Sequence, residues 1–297
     1  MSAEPRHVRA APSHHDPYPY YGRLAREHAF FRDDANGWWV AASAAAVREV
    51  LTRDECSTRP RGEAVLSSLA GGPVAEIFGR LVRLRDDPAR NPLKTAVTAA
   101  LRALDLHHVV ALVRARAGEL NVELGLPLDA AKTTRFMFAL PVHVIARLLG
   151  IPDDRHADVI VWLGDYGAAT AAAVTGTPAP NAALFDKGHR GAQALLDLMS
   201  AIAKEPGRRG PLLEALMRDA AQAGCNDDRD IIANAIGYMI QGLWSDGWTG
   251  RPDLAGTGAP PCAARGGQGR SQADPPAGPG GRAFRPNHEQ HASIHGA

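Results

Sequence analysis

Between Gly72 and Gly224, one stretch after another places apolar residues at i, i+3 and i+4 and is then interrupted by Gly or Pro, a pattern that suits helices with one buried face. The stretches are "GPVAEIFGRLVRL", "ARNPLKTAVTAALRALDLHHVVALVRARAGELNVEL", "FALPVHVIARLLGIPDD", "DRHADVIVWLGDYGAAT", "GAQALLDLMSAIAKE" and "PLLEALMRDAAQAG". A further segment, "NDDRDIIANAIGYMIQG", has Asn226 and Asp227 as caps, acids in its first turn, and Ile231, Ile232, Ala235, Ile236 and Met239 recurring through it. It reads as a buried helix.

The region before Gly72 adds a little β structure. In "DPYPYYGRLAREH", Pro punctuation is followed by Tyr21, Leu24 and Ala25 at helical spacing, which predicts a short helix after an extended lead. "NGWWVAAS" predicts a short strand through Trp38, Trp39 and Val40 out of an Asn-Gly hairpin turn, and "SAAAVREVLTRDE" a helix capped by Ser43. The expected fold class is therefore mainly α with a small N-terminal β-sheet. Residues 1–15 lack a continuous apolar run, so they are expected to be disordered and do not read as a secretory signal.

Charge and cysteines exclude more than they suggest. A formal net charge of +1 gives no pull toward nucleic acid or acidic membrane, and no stretch approaches the length of a membrane span. Cys56, Cys225 and Cys262 have no CxxC or Cys/His ligand spacing, and a reducing cytoplasm is the default expectation. In the tail, "HEQHASIH" brings His288, His291 and His295 together without the i, i+4 spacing of a helical zinc site. "GTGAPP" and "GGQGR" follow no strand and carry no nucleotide-loop pattern.

Three stretches, taken in order, resemble the N-terminal half of a bacterial cytochrome P-450, the haem-thiolate monooxygenase family. "DPYPYYGRLAREHAFFRDDANGWWVAASAAAVREVL" is similar to the family's opening helix, first hairpin and second helix. "GRLVRLRDDPARNPLKTAVTAAL" resembles the approach to its third helix, and "LPVHVIARLLGIPDD" its fifth. The resemblance implies a truncated P-450-like domain over residues 16–242, haem b as cofactor, a small apolar substrate, and a ferredoxin-type or flavoprotein electron donor. Asp86, Pro88 and Lys94 match the family's third-helix motif, in which two side chains four residues apart reach haem propionates. Arg90 stands where His is usual, so Arg90 and Lys94 are the cofactor-binding candidates. Val65, Leu66, Leu69 and Phe78, in or beside the 57–78 loop, are the substrate-binding candidates.

The family's thiolate lies in a Phe-x-x-Gly-x-x-x-Cys-x-Gly loop, and this sequence contains none. Cys262 sits in "APPCAARGG". The formal Glu-x-x-Arg match, Glu205 to Arg208, has Pro and Gly inside it and reads as a loop coincidence. The chain as written is thus expected to be an inactive P-450 relative, and no catalytic residue is assigned. The alternative is a non-catalytic helical binding module for a hydrophobic ligand or partner.

After about Gly242 the composition changes abruptly. From about residue 250 roughly a third of the residues are Gly or Pro, too little apolar surface to offset about 1–2 kcal/mol of backbone entropy per residue. The codons suggest why. Trp244 and Trp248 are each encoded only by TGG, so a frame displaced by one nucleotide reads Gly at both places. The displaced frame permits Gly-x-Thr-Ala-Gly-Leu here and Arg-Thr-Leu-Leu-Ala-Leu-Ala-Arg-His-Pro beyond, which is how many family members continue this helix. Residues 243–297 are therefore expected to be a disordered, out-of-frame tail, and residues 226–242 to be left with an uncovered apolar flank.

Overall fold

The computed structural model describes residues 4–244, apart from 54, 58–64, 67–68, 70, 87–89, 126, 128 and 176–181. Of the expected out-of-frame tail, residues 243 and 244 continue the last helix and are not disordered, while 245–297, with Cys262 and the three tail histidines, lie outside the described residues, as does Pro88. The described chain falls into two units, residues 4–56 and 57–244.

In the first unit a 3-10 helix, Val8–Ser13, occupies part of the segment expected to be disordered. Ala11 is fully buried and clusters with Tyr20 and Leu24, so one small side chain has an apolar place to go. Helix α1 spans Tyr18–Glu27 behind Pro17, followed by β1 (Phe30–Asp33), β2 (Trp38–Ala41) and α2 (Ala44–Thr52). The strands pair antiparallel from Phe30↔Ala41 to Asp33↔Trp38, so the loop is four residues long rather than the bare Asn-Gly pair. Asp33 organises it: its carbonyl accepts the Gly37 N–H at 2.8 Å, its carboxylate accepts from Ala35 and Asn36, and Gly37 takes φ 71. Ser43 caps α2 as expected, accepting from the Ala46 N–H at 3.2 Å.

The second unit is helical throughout its described elements. Helix α3 (Gly72–Arg80) leads through a 3-10 turn (Val82–Leu84) to α4 (Arg90–Arg102) and α5 (Leu106–Leu124). The long apolar stretch after residue 90 is thus two helices, bent by 72° where Asp105 caps the second. Helix α6 (Ala130–Leu149) begins well before Phe138, because Asp129 accepts the Lys132 N–H at 2.7 Å and nucleates its first turn. Helices α7 (His156–Thr175), α8 (Ala182–Lys204), α9 (Pro211–Gln222) and α10 (Asp228–Trp244) complete it.

Helices α7 and α8 meet through small residues: a Cβ on Gly188 would lie 2.4 Å from Ala169 Cβ, and one on Gly191 2.8 Å from the Trp162 carbonyl oxygen. Helix α10 forms the centre, packing on α3, α6, α7, α8 and α9. Every residue from 231 to 240 is buried, which corrects the expectation of an uncovered apolar flank. Helices α3, α6, α7, α8 and α9 all contribute to its cover. No single helix among the described residues is long and apolar enough to cross a membrane.

Candidate functional site

The polar chemistry of the second unit gathers where the start of α10 meets α3 and the turn before α4. Asn234 is the residue that organises this corner. It is the one amide within an otherwise apolar turn of α10, and every polar atom it carries is used: Oδ1 accepts the Val82 N–H at 2.9 Å, and Nδ2 donates to the Arg80 carbonyl at 2.9 Å and the Asp230 carbonyl at 2.8 Å. A buried amide left unpaired costs about 1–3 kcal/mol, so the two bonds to Arg80 and Val82 fix the turn against α10.

Charge reinforces the same junction. Arg80 Nη1 donates to Asp227 and Asp230 carboxylates at 2.7 Å each, and Arg85 Nη1 reaches the other Asp230 oxygen at 3.0 Å. Burial opposes the Arg80 charge, and the two carboxylates more than offset it, raising its pKa. Asp227 also caps the helix by accepting the Arg229 N–H at 2.9 Å; burial pushes its carboxyl up, and Arg80 with these amides brings it below the ordinary value. One turn beyond Asn234, the Tyr238 hydroxyl donates to the Val97 carbonyl of α4 at 2.7 Å, and burial raises the phenol's pKa. The Gln241 amide, oriented by its hydrogen bonds, presents its oxygen to Arg83 Nη1 at 2.9 Å and Nε at 3.2 Å. Burial lowers the Arg83 pKa.

The residues singled out from the sequence occupy two environments. Arg90, at the first position of α4, is half-buried and donates from Nε to the Val82 carbonyl at 3.2 Å. Lys94, one turn on, is exposed and lines a surface groove of about 600 Å³ with Thr95, Thr98, Ala99, Arg102, Ala103 and Asp219. The two threonine hydroxyls there are already bonded within the helix, Thr95 to the Asn91 carbonyl and Thr98 to the Lys94 carbonyl. Leu69 and Phe78 are buried in the main core, and Val65 and Leu66 pack on it. Glu205 and Arg208 pair with each other at 3.3 Å across an exposed 3-10 turn, in keeping with a loop coincidence.

The sequence reading missed Asn234, Arg80 and Asp230, although an Asn inside "IIANAIGYMI" was a visible signal. It also passed over a buried group of Arg116, His143 and His156 that joins α5, α6 and α7.

This order of helices, with a two-stranded hairpin near the start and a central buried helix, is the fold of the bacterial cytochromes P450. No protein-family model matches the chain. In sequence the chain is 24% identical over 147 residues to the protein named cytochrome P450 123 in Mycobacterium bovis and in Mycobacterium tuberculosis, an alignment covering 49% of this chain and 36% of theirs. Among solved structures, CalO2 superposes with a TM-score of 0.62 at 22% identity, over 82% of this chain and 59% of that one. CYP109E1 from Bacillus megaterium gives 0.60 at 18% identity, over 77% and 57%. P450BioI, solved in complex with an acyl carrier protein ligated to hexadec-9Z-enoic acid, gives 0.57 at 14%, over 77% and 58%. The chain thus spans well under two thirds of the length of the proteins it matches.

That fold implies haem, whose propionates Arg90 and Lys94 were expected to meet. Arg90 directs Nε to a backbone carbonyl, Lys94 opens to solvent, and no cluster of His, Cys, Asp or Glu among the described residues is arranged to hold a metal. Cys225, in the turn between α9 and α10, packs against the main core.

Proposed function

We propose that residues 16–242 are the N-terminal part of a haem-thiolate monooxygenase that inserts oxygen into a small apolar substrate, that the reading frame is displaced after about Gly242, and that the chain as written is inactive. The observation that carries this reading is α10. It remains helical to Trp244 with Leu243 buried, yet at that point the sequence turns to Gly and Pro while the displaced codons still permit a helical continuation.

Arg90 and Lys94 remain the proposed propionate partners and Val65, Leu66, Leu69 and Phe78 the proposed substrate contacts in a frame-restored enzyme, with a ferredoxin-type or flavoprotein donor. For the present chain, propionate contacts of about 1–3 kcal/mol each fall short of the roughly 8 kcal/mol that micromolar binding requires. Sequencing the gene tests the frame: the displaced frame must run on into a Phe-x-x-Gly-x-x-x-Cys-x-Gly loop. The restored product should then give the red-shifted carbon-monoxide spectrum of thiolate-ligated haem, and the 297-residue chain should not. A thiolate spectrum from the chain as written defeats the inactive reading.

One observation favours the second reading, a non-catalytic helical module for a hydrophobic ligand or partner: residues 231–240 of α10 are buried rather than left as an open apolar face. A gene with no open displaced frame, together with a cooperative, monomeric thermal transition of this chain, selects that alternative.

A further inference from the structure

The group formed by Arg116, His143 and His156 cannot satisfy all its hydrogen bonds while both imidazoles are neutral. The three residues are 8%, 6% and 2% exposed, so bulk water has little access to them. Arg116 Nε lies 2.9 Å from His143 Nδ1, and a guanidinium nitrogen only donates, so His143 Nδ1 is an acceptor without a proton. His156 Nε2 lies 3.1 Å from the Ile151 carbonyl oxygen, which only accepts, and His156 Nδ1 lies 3.1 Å from His143 Nδ1. Protonated on Nε2 alone, His156 turns a lone pair toward the lone pair of His143. Protonated on Nδ1 alone, it turns a lone pair toward the Ile151 carbonyl. Only the imidazolium donates at both ends, its Nδ1 proton sharing the single His143 Nδ1 lone pair with Arg116 Nε.

The surrounding charges are divided. From α5 come Arg116, Glu119 and Glu123, from α6 Arg147, and from the turn before α7 Asp153, whose Oδ1 is 3.6 Å from His156 Nε2. Two guanidiniums therefore face three carboxylates, and one added proton balances them. Burial opposes the proton, as do Arg116 and Arg147, and so does the position of His156 at the positive end of α7.

We propose that His156 is a buried proton-binding site that switches the α6–α7 corner between two hydrogen-bonding states, a neutral one with an unsatisfied acceptor pair and a protonated one in which His156 ties Ile151 to His143. His143 stays neutral through this change, because its Nδ1 is committed to accepting from Arg116. The corner is placed to transmit the change, since α7 runs from His156 into the close Gly188 and Gly191 contact with α8.

The test is nitrogen NMR of the full chain labelled on its histidines, followed from about pH 8 to about pH 4, with His143→Gln and His156→Gln used for assignment. His156 should carry one ring proton at the alkaline end and two after mild acidification, before His143 gains its second. His143→Gln, which keeps an acceptor, should leave the His156 midpoint in place, whereas His143→Phe, which removes it, should lower the midpoint by about one pH unit. If His143→Phe fails to fold, the native chain and the Gln variant decide. A His156 that is doubly protonated throughout, one that never gains its second proton, a His143 that titrates first, or a midpoint indifferent to His143→Phe overturns the proposal.

Discussion

The Asn234 side chain accepts the Val82 N–H at 2.9 Å, bringing together residues that are distant in sequence, and its amide nitrogen returns a bond to the Arg80 carbonyl. Replacing Asn234 by Leu keeps much of the volume but leaves the buried Val82 N–H and the Arg80 carbonyl short of a partner. The expected loss is about 2–3 kcal/mol, read as a lower urea midpoint. An unchanged midpoint means that the turn before α4 is held by packing alone.

Gly150 closes α6 at φ 92, and a Cβ there would lie 2.2 Å from the Arg208 carbonyl oxygen and 2.5 Å from the Gly210 nitrogen. Both contacts are with backbone, which cannot swing away. Gly150→Ala should cost about 3 kcal/mol or more, while Gly118→Ala, in α5 with open space around the new methyl, should gain about 0.5–1 kcal/mol from helix propensity. Thermal denaturation of the two variants should move in opposite directions.

Burial first, then the Arg116 charge, holds His143 down to about 4, and burial lowers His156 as well. A histidine depressed in the folded state favours the native form when neutral, so this stability is fully present above the ordinary value of about 6.5 and is lost as pH falls from there toward about 4. The urea midpoint should be nearly flat in mildly alkaline buffer and decline across that window. His143→Gln should flatten part of the decline; a decline of the same size in the variant would assign it to other groups.

Lys94 and Arg90 should separate cleanly in this chain. Lys94→Ala removes an exposed side chain and is expected to change stability by less than about 0.5 kcal/mol, whereas Arg90→Ala deletes the bond to the Val82 carbonyl and should cost about 1 kcal/mol. In the frame-restored product, Lys94→Ala should instead lower haem occupancy. An effect of Lys94→Ala on folding of the present chain would show that its ammonium has a structural partner.

How much of this was legible in the sequence follows from the range of the interactions involved. The capping of α2 by Ser43, the acids at the start of α10 and the 3.6-residue periodicity of the helices all depend on neighbours within a turn or two, so local sequence determined them. The order of those elements, with the wording of "LPVHVIARLLGIPDD", was enough to point to the P450 fold. Local sequence could not decide what covers α10. Its apolar residues predicted burial, but which helices supply the partner surface depends on contacts such as Gly242 admitting Pro141 and Ile145 of α6. Nor could it show that Asn234 meets Val82, or that Arg116, His143 and His156 converge, because no spacing rule links positions on separate helices. Those pairings exist only once the helices pack, where low exposure makes each unshared donor or acceptor costly enough to dictate its partner.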